Sequence, residues 1–365
     1  MTDTTGAPAT ASRTALIMAG GTGGHIFPGL AVAEALRAAG WQVHWMGAPD
    51  SMESRLVPAR GFAFEAVDFS GVRGKGVVTM AMLPVRLQKA FWQAAKVVRR
   101  IKPDVVVGLG GYIAFPGGMM GTLFGKPLVL HEQNSRAGMA NKVLAGIADR
   151  VFTAFPDVLF KGEWVGNPLR EEFLRQAPPA ERLGERSGRL RLLVVGGSLG
   201  AKALNELVPR ALALLPASHR PVVLHQSGAT QIDALRANYQ AAGVEAELTP
   251  FIDDTARAFA DADLIVCRAG ASTVTEIAAV GAAAVYVPFP HAVDDHQTAN
   301  AQFITEAGGG WLMQQDALTP EWLAELLGKV NRAELIQKAC AAKAREKTGA
   351  TAAIVAACEQ LAQKA

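Results

Sequence analysis

Two doubly wound, parallel-sheet α/β domains are expected from three features of this 365-residue chain. A strand–glycine loop–helix pattern occurs twice, about 180 residues apart. The strands are continuous apolar runs, which suits sheets covered on both faces. The length exceeds one ordinary domain and allows two of roughly 150–180 residues.

The elements follow in order. Ala15–Ala19 reads as a buried strand running into Gly20-Gly21-Thr22-Gly23-Gly24. A helix is expected over Pro28–Ala39, ended by Gly40, with a second strand at Gln42–Met46. The first sheet continues through Val105–Val107, Leu128–Leu130 and Val151–Thr153. In the second half, strand Leu190–Val195 leads into Gly196–Gly200, a helix over Ala201–Leu215 and strand Val222–Gln226. Strands Leu264–Cys267 and Ala283–Val287 complete that pattern. The expected division is a disordered tail over 1–12, domains at 13–169 and 170–343, and a C-terminal helix at 344–365. Glu171–Arg189, rich in charge and proline, suits a linker, and the last helix would pack back on the first domain.

Composition narrows the classes. Half the residues are hydrophobic, 19% are charged and the formal net charge is +3, so bulk charge indicates no polyanionic partner. Three scattered cysteines, Cys267, Cys340 and Cys358, form neither a disulfide framework nor a zinc spacing. From Val105 to Gly125 no residue is charged, but seven glycines and Pro116 oppose a membrane helix. A buried strand, a glycine loop and a short helix are expected there.

Candidate functional residues lie where strands end, at the mouth of such sheets. The first glycine loop opens a helix whose free N–H groups favour an anion. No Gly-Lys-Ser/Thr follows it, and the second strand ends at Met46-Gly47 rather than in an acidic residue. Triphosphate and NAD fingerprints are therefore absent. His25, at the loop–helix junction, is placed to take a proton from an incoming hydroxyl. His131-Glu132-Gln133-Asn134 follows the Leu128–Leu130 strand. Arg268–Glu276 makes a third small-residue turn opening a helix, and Asp294-Asp295-His296-Gln297 follows the strand ending at Val287. Asp261-Ala262-Asp263 matches a metal-binding Asp-x-Asp pattern but precedes its strand, at the wrong sheet edge. No metal site or other cofactor is expected.

The segment from Gly71 to Lys102 carries eight basic residues and no acidic one. Arg86, Lys89, Gln93, Lys96 and Arg100 recur at helical spacing, with Leu87, Phe91, Ala94 and Val98 opposite. Together with Val77, Val78, Met82, Leu83 and Trp92, the basic face suits an anionic membrane surface. No nucleic-acid recognition fold accompanies it.

Taken together the motifs resemble the MurG family of bacterial cell-wall transferases from about Thr14 onward. They are Gly-Gly-Thr-Gly-Gly-His at 20–25, Gly-Gly-Tyr at 110–112, His-Glu-Gln-Asn at 131–134 and Gly-Asn-Pro-Leu-Arg at 166–170. Gly-Gly-Ser at 196–198, Phe-Ile-Asp-Asp at 251–254 and Arg268–Glu276 complete the set. The resemblance implies a glycosyltransferase-B architecture, two Rossmann-like domains facing a central cleft. It implies inverting transfer of N-acetylglucosamine from UDP-N-acetylglucosamine to the 4-hydroxyl of an undecaprenyl-linked N-acetylmuramyl-pentapeptide. That places the enzyme peripherally on the cytoplasmic face of the inner membrane. A UDP-N-acetylglucosamine epimerase of the same fold is the alternative.

Carried over by position, Arg170, Ser198 and the Ala271–Ser272–Thr273 turn would contact the donor diphosphate, with Val274 and Thr275 in the same stretch. Glu276 would hold the ribose, the Ile252 backbone would read uracil and Gln297 would recognise the sugar. Thr22, Gly23, Gly24 and Asn134 would approach the donor sugar from the other domain. Gly20, Gly21, Gly110, Gly111 and Tyr112 would face the acceptor diphosphate. His25 is the expected general base, with Glu132 second. Some relatives carry two glutamines where this chain has His296-Gln297.

Overall fold

The structure is a computed structural model that describes residues 13–69, 71, 81–197 and 199–363. The tail through Ser12, the apolar residues Val77 and Val78, and Ser198 lie outside the described residues.

The first sheet has seven strands. They are β1 (Thr14–Met18), β2 (Gln42–Gly47), β3 (Ala63–Ala66), β4 (Val105–Gly108), β5 (Leu128–Glu132), β6 (Arg150–Thr153) and β7 (Glu163–Trp164). Their order is β3-β2-β1-β4-β5-β6-β7. The six-stranded second sheet is built from β8 (Arg191–Val195), β9 (Val222–Gln226), β10 (Glu247–Thr249), β11 (Leu264–Cys267), β12 (Ala283–Tyr286) and β13 (Gly310–Leu312). It runs β10-β9-β8-β11-β12-β13. β1 pairs in parallel with β2 and β4, and β8 with β9 and β11. Strand order therefore reverses beside β1 in one sheet and beside β8 in the other. Crevices open at such points beyond the strands' carboxyl ends, and both glycine loops lie there.

The central strands are apolar throughout because helices cover both faces. Leu16, Ile17, Val106 and Val129 are buried in the first sheet, and Leu193, Val194, Ile265 and Val285 in the second. The chain clusters into two compact units. One comprises the described residues to His131, then Gly138–Phe152 and the C-terminal residues from Thr351. The other comprises Glu132–Ala137 and Thr153–Ala350.

Three elements depart from expectation. The first helix spans Gly23–Ala38, starting before Pro28. Pro28 falls in the second turn, where it lacks the N–H that would bond the Gly24 carbonyl. Glu171–Arg189 is packed rather than loose. Short helices at Glu171–Leu174 and Pro179–Gly184 bury Phe173 and Leu183, and Arg182 donates to the carbonyls of Ala260, Val280 and Gly281. The helix expected at 344–365 spans Ala350–Ala362, and a separate helix, Arg332–Lys343, precedes it. Between them Lys347 lies against Gly166, where a side chain would collide with its carbonyl.

The uncharged Val105–Gly125 stretch forms β4, a loop and the helix Ala114–Leu123. No helix among the described residues is long and apolar enough to cross a membrane.

Candidate active site

In the first unit the loops after β1 and β4 touch. Gly110 and Gly111 have positive φ, and a Cβ on Gly111 would collide with the Gly20 carbonyl. Glycine lets the two backbones meet. Gly21 and Thr22 are exposed, and Tyr112 presents a partly exposed ring that packs on Gly71. Thr22 is the N-cap of the Gly23–Ala38 helix, and its carbonyl accepts the N–H of His25 and of Ile26 at 3.1 Å each. His25, half-buried, is thus fixed in the first helical turn beyond the end of β1.

Glu53 was not singled out from the sequence. It is 1% exposed and its carboxylate accepts from Gly21 N–H at 3.3 Å and Ala48 N–H at 3.2 Å. A Cβ on Gly20 would strike this carboxylate, so the loop is pressed onto it. The Gly21 N–H is consequently engaged from behind. Glu53 stands in the first turn of Met52–Ala59, capped by the reciprocal Ser51–Ser54 pair.

In the second unit, helix Ala271–Val280 starts at N-cap Gly270. The Val274 N–H is bonded to the Gly270 carbonyl and its side chain is fully buried. Val274 is therefore committed to the core through its side chain and to the helix through its N–H: only the N–H groups of the first three helical residues lack intrahelical acceptors. Ser272 Oγ is buried with no hydrogen-bond partner among the described residues. Thr275 is committed to packing. Its hydroxyl donates to Ala271 O and accepts from Asn167 Nδ2, joining the 166–170 motif to this helix.

Arg170 Nη2 donates to Thr255 Oγ1 at 2.7 Å, and its guanidinium lies near Glu276. Burial pushes the Glu276 carboxyl up to about 7, with Arg170 pulling the other way. The group therefore titrates near neutrality.

Behind these residues runs a buried polar chain that the sequence reading missed. His225 Nε2 meets Asn205 Oδ1 at 3.0 Å and Nδ1 meets the Tyr239 hydroxyl at 2.9 Å. Burial lowers the His225 pKa to about 3, so it stays neutral. Next to it, Gln226 Nε2 donates to Gly197 O and Pro250 O, tying the second glycine loop to the segment before Ile252. Gln297 accepts the Phe289 N–H through Oε1 at 2.9 Å. Glu132 is 2% exposed, and its Oε1 accepts the Asn134 N–H at 2.9 Å. That carboxylate is turned inward onto its own loop. Asp263 accepts from Arg191 N–H, Arg186 and Arg332, so its carboxylate is spent on ion pairs at the amino end of β11.

Two cations on the basic face of helix Leu83–Ile101 are ion-paired. Lys89 pairs with Asp68 at 2.6 Å, and Arg100 pairs with Glu65. The acids come from around β3, outside the window read for charge. The helix buries Ala90, Ala94, Val97 and Val98, leaving Leu87 and Phe91 only partly covered. Trp92 is 59% exposed, with Lys96 Nζ 3.7 Å from its ring centroid. Exposed apolar residues continue elsewhere in this unit. Leu123 is 71% exposed at the end of its helix, and Met139, Val143 and Ile147 form an exposed row at four-residue spacing. That spacing is legible in the sequence.

Residues 15–153 match the glycosyltransferase family 28 N-terminal domain and residues 191–355 match the family's C-terminal domain. The chain belongs to glycosyltransferase family 28. A Paracidovorax citrulli relative is 73% identical over 349 residues, covering 96% of this chain and 98% of its own. A Polaromonas naphthalenivorans relative is 72% identical over 355 residues, covering 96% and 99%. Both are named UDP-N-acetylglucosamine--N-acetylmuramyl-(pentapeptide) pyrophosphoryl-undecaprenol N-acetylglucosamine transferase. The crystal structure of Acinetobacter baumannii MurG superposes with TM-score 0.83 at 40% identity, over 95% of this chain and 99% of that one. The calicheamicin glycosyltransferase CalG4 shares the fold, with TM-score 0.67 at 16% identity, covering 97% of this chain and 99% of that one. This family 28 enzyme is a glycosyltransferase of the glycosyltransferase-B fold, as its paired parallel sheets also indicate.

Proposed function

We propose that this glycosyltransferase moves N-acetylglucosamine from UDP-N-acetylglucosamine to the 4-hydroxyl of a lipid-linked N-acetylmuramyl-pentapeptide, inverting the anomeric carbon without a metal. One observation carries the reading. Arg170, Glu276 and the open N-terminus of Ala271–Val280 lie together, in a chain 73% identical to a transferase named for these substrates. An epimerase is not favoured, since these relatives are named as transferases.

The chemistry divides among named groups. The acceptor hydroxyl attacks the anomeric carbon and gives its proton to His25. The bond from that carbon to the UDP oxygen breaks, and the electron pair leaves with the diphosphate. Arg170 and the Ala271–Thr273 N–H groups stabilise that charge. Glu276 accepts the ribose hydroxyls, Ile252 reads uracil through its backbone and Gln297 meets the sugar. Glu132 positions Asn134 toward the donor, Thr22, Gly23 and Gly24 approach the donor sugar, and Gly20, Gly21 and the Gly110–Tyr112 loop take the acceptor diphosphate.

The test is UDP release from UDP-N-acetylglucosamine by the purified protein. Release is expected only with a lipid-linked acceptor present and is expected to survive EDTA. Acceptor-independent interconversion of the sugar, or activity lost to EDTA and restored by magnesium, would overturn the reading.

The enzyme is placed peripherally on the cytoplasmic face of the inner membrane, on anionic lipid. Support comes from exposed Val85 and Trp92, with Lys96 over the Trp92 ring. Binding to vesicles containing phosphatidylglycerol should weaken as salt rises, because screening shortens the reach of the charges. Trp92→Ser with Lys96→Gln should cut that binding several-fold and spare turnover of a short, water-soluble acceptor. Unchanged vesicle binding would make the face merely solvated.

A further inference from the structure

No step of the transfer uses Glu53, although its buried carboxylate lies beneath the first glycine loop. The capped helix Met52–Ala59 carries it in its first turn, just beyond the carboxyl end of β2. Its two oxygens serve two different segments of the first unit. Oε1 accepts the Ala48 N–H at 3.2 Å, next to the end of β2. Oε2 accepts the Gly21 N–H at 3.3 Å, in the loop after β1. Two glycines make room for the side chain. A Cβ on Gly20 would strike Oε1, and a Cβ on Gly47 would lie 2.7 Å from Glu53 Cγ. Gly20 is confined from another side too, because its backbone lies where a Cβ on Gly111 would fall. Glu53, Gly20 and Gly111 are thus in successive contact, and the carboxylate fixes where the first loop meets the second.

We propose that Glu53 is a positioning residue for the acceptor, setting the spacing between Gly20–Gly21 and Gly110–Tyr112, where the acceptor diphosphate is assigned. The inference rests on that assignment. The chemistry demands a carboxylate. Two N–H donors arrive from separate segments, and each needs an oxygen of its own. Glutamine offers one oxygen and turns its NH2 against the other N–H. Aspartate is one methylene shorter and cannot span both. The Gly21 N–H is spent on this bond, so Gly21 shapes the loop rather than donating to the diphosphate. A loop already held in shape need not be ordered when the ligand arrives, whereas a loosened loop must be, and that ordering weakens binding. The groups assigned to UDP, at Arg170, Ile252 and Glu276, belong to the second unit. UDP affinity is therefore an internal reference that Glu53 should not move.

The test measures two quantities on the full chain. One is the KM for a short-chain prenyl-diphosphoryl-N-acetylmuramyl-pentapeptide at saturating UDP-N-acetylglucosamine; the other is the UDP dissociation constant by calorimetry. Glu53→Gln should raise the acceptor KM about tenfold or more, with UDP affinity within about threefold and kcat changed much less than KM. Gly20→Ala keeps the carboxylate and pushes the loop off it, and should show the same split. Gly20 is not among the glycines with positive φ, so alanine suits its backbone. Glu53→Ala combined with Gly20→Ala puts the new methyl group into the vacated space. That double variant should lose several-fold less than the two single losses multiplied together. Melting temperatures report folding, and if Glu53→Gln fails to fold, Gly20→Ala decides by the same split. An unchanged acceptor KM in folded variants, equal losses in acceptor KM and UDP affinity, or a double variant whose losses simply multiply would refute the positioning role. The unaltered protein is measured alongside. If it does not transfer N-acetylglucosamine to this acceptor, the proposed function fails; if it does and the variants keep its acceptor KM, only the role of Glu53 fails.

Discussion

His25→Ala is expected to lower kcat about 100-fold or more, with donor affinity nearly unchanged. The hydroxyl attack needs a proton acceptor, and His25 is held in the first turn of Gly23–Ala38 at the strand-order reversal. Its backbone is anchored to Thr22 O, so truncating the ring leaves the turn intact. The other candidate, Glu132, faces its own loop and holds the Asn134 N–H. Glu132→Gln keeps an acceptor for that N–H and should cost little if the residue only positions Asn134. The measurements are kcat and UDP dissociation constants, with melting temperatures as the control for folding. A stable, normally binding His25→Ala that retains most of its kcat would move the base elsewhere.

Glu276→Ala should raise the donor KM about 10–100-fold and change kcat at saturating donor much less. Hydrogen bonds to a carboxylate are worth about 1.5–3 kcal/mol each, and ribose contacts are alike in ground and transition states. A large fall in kcat at constant KM would contradict the role. The titration adds a second signature. The carboxyl ionises near 7 in the folded protein, against an ordinary value of 4.5. Only the ionised form accepts both ribose hydroxyls, so donor affinity should rise as pH climbs through about 7. Glu276→Gln should lose that dependence. Stability runs the other way. With the folded pKa raised, the contribution is fully present below the unfolded value and is lost as pH rises to about 7. Glu276→Gln should therefore melt a few degrees higher than the parent at pH 8 while binding donor more weakly. A Tm equal to or below the parent's would show that the carboxyl carries no such penalty.

Much of the fold is written in short windows. Ala15–Met18 and Leu264–Cys267 are apolar without alternation because both sheet faces are covered, and that pattern is local. Gly20–Gly24 and the Ala271–Thr273 turn are legible for the same reason. A strand's end, a run of small residues and a helix start are consecutive in the chain, and free N–H groups follow from the helix itself. Thus the doubly wound class, both glycine loops and the position of His25 came from sequence. Element ends were less legible. Gly23 opens the helix five residues before Pro28, at the cost of the one backbone bond that the proline cannot make. In the break before Ala350, Lys347 lies against Gly166, a residue far away in sequence.

What the tertiary structure alone decided is the partner of each polar side chain. Lys89 and Arg100 read as part of a basic face with no acid in their own window, and folding brings Asp68 and Glu65 beside them. Glu53 is an unremarked glutamate until folding sets it under Gly21, 32 residues away. Asn300 is one asparagine among several until its amide meets Ser135, 165 residues distant. A buried polar group must find a partner, but closing the chain, not local propensity, selects which one. Sequence therefore determined where backbone would bind; the packed fold determined which side chains hold that backbone in place.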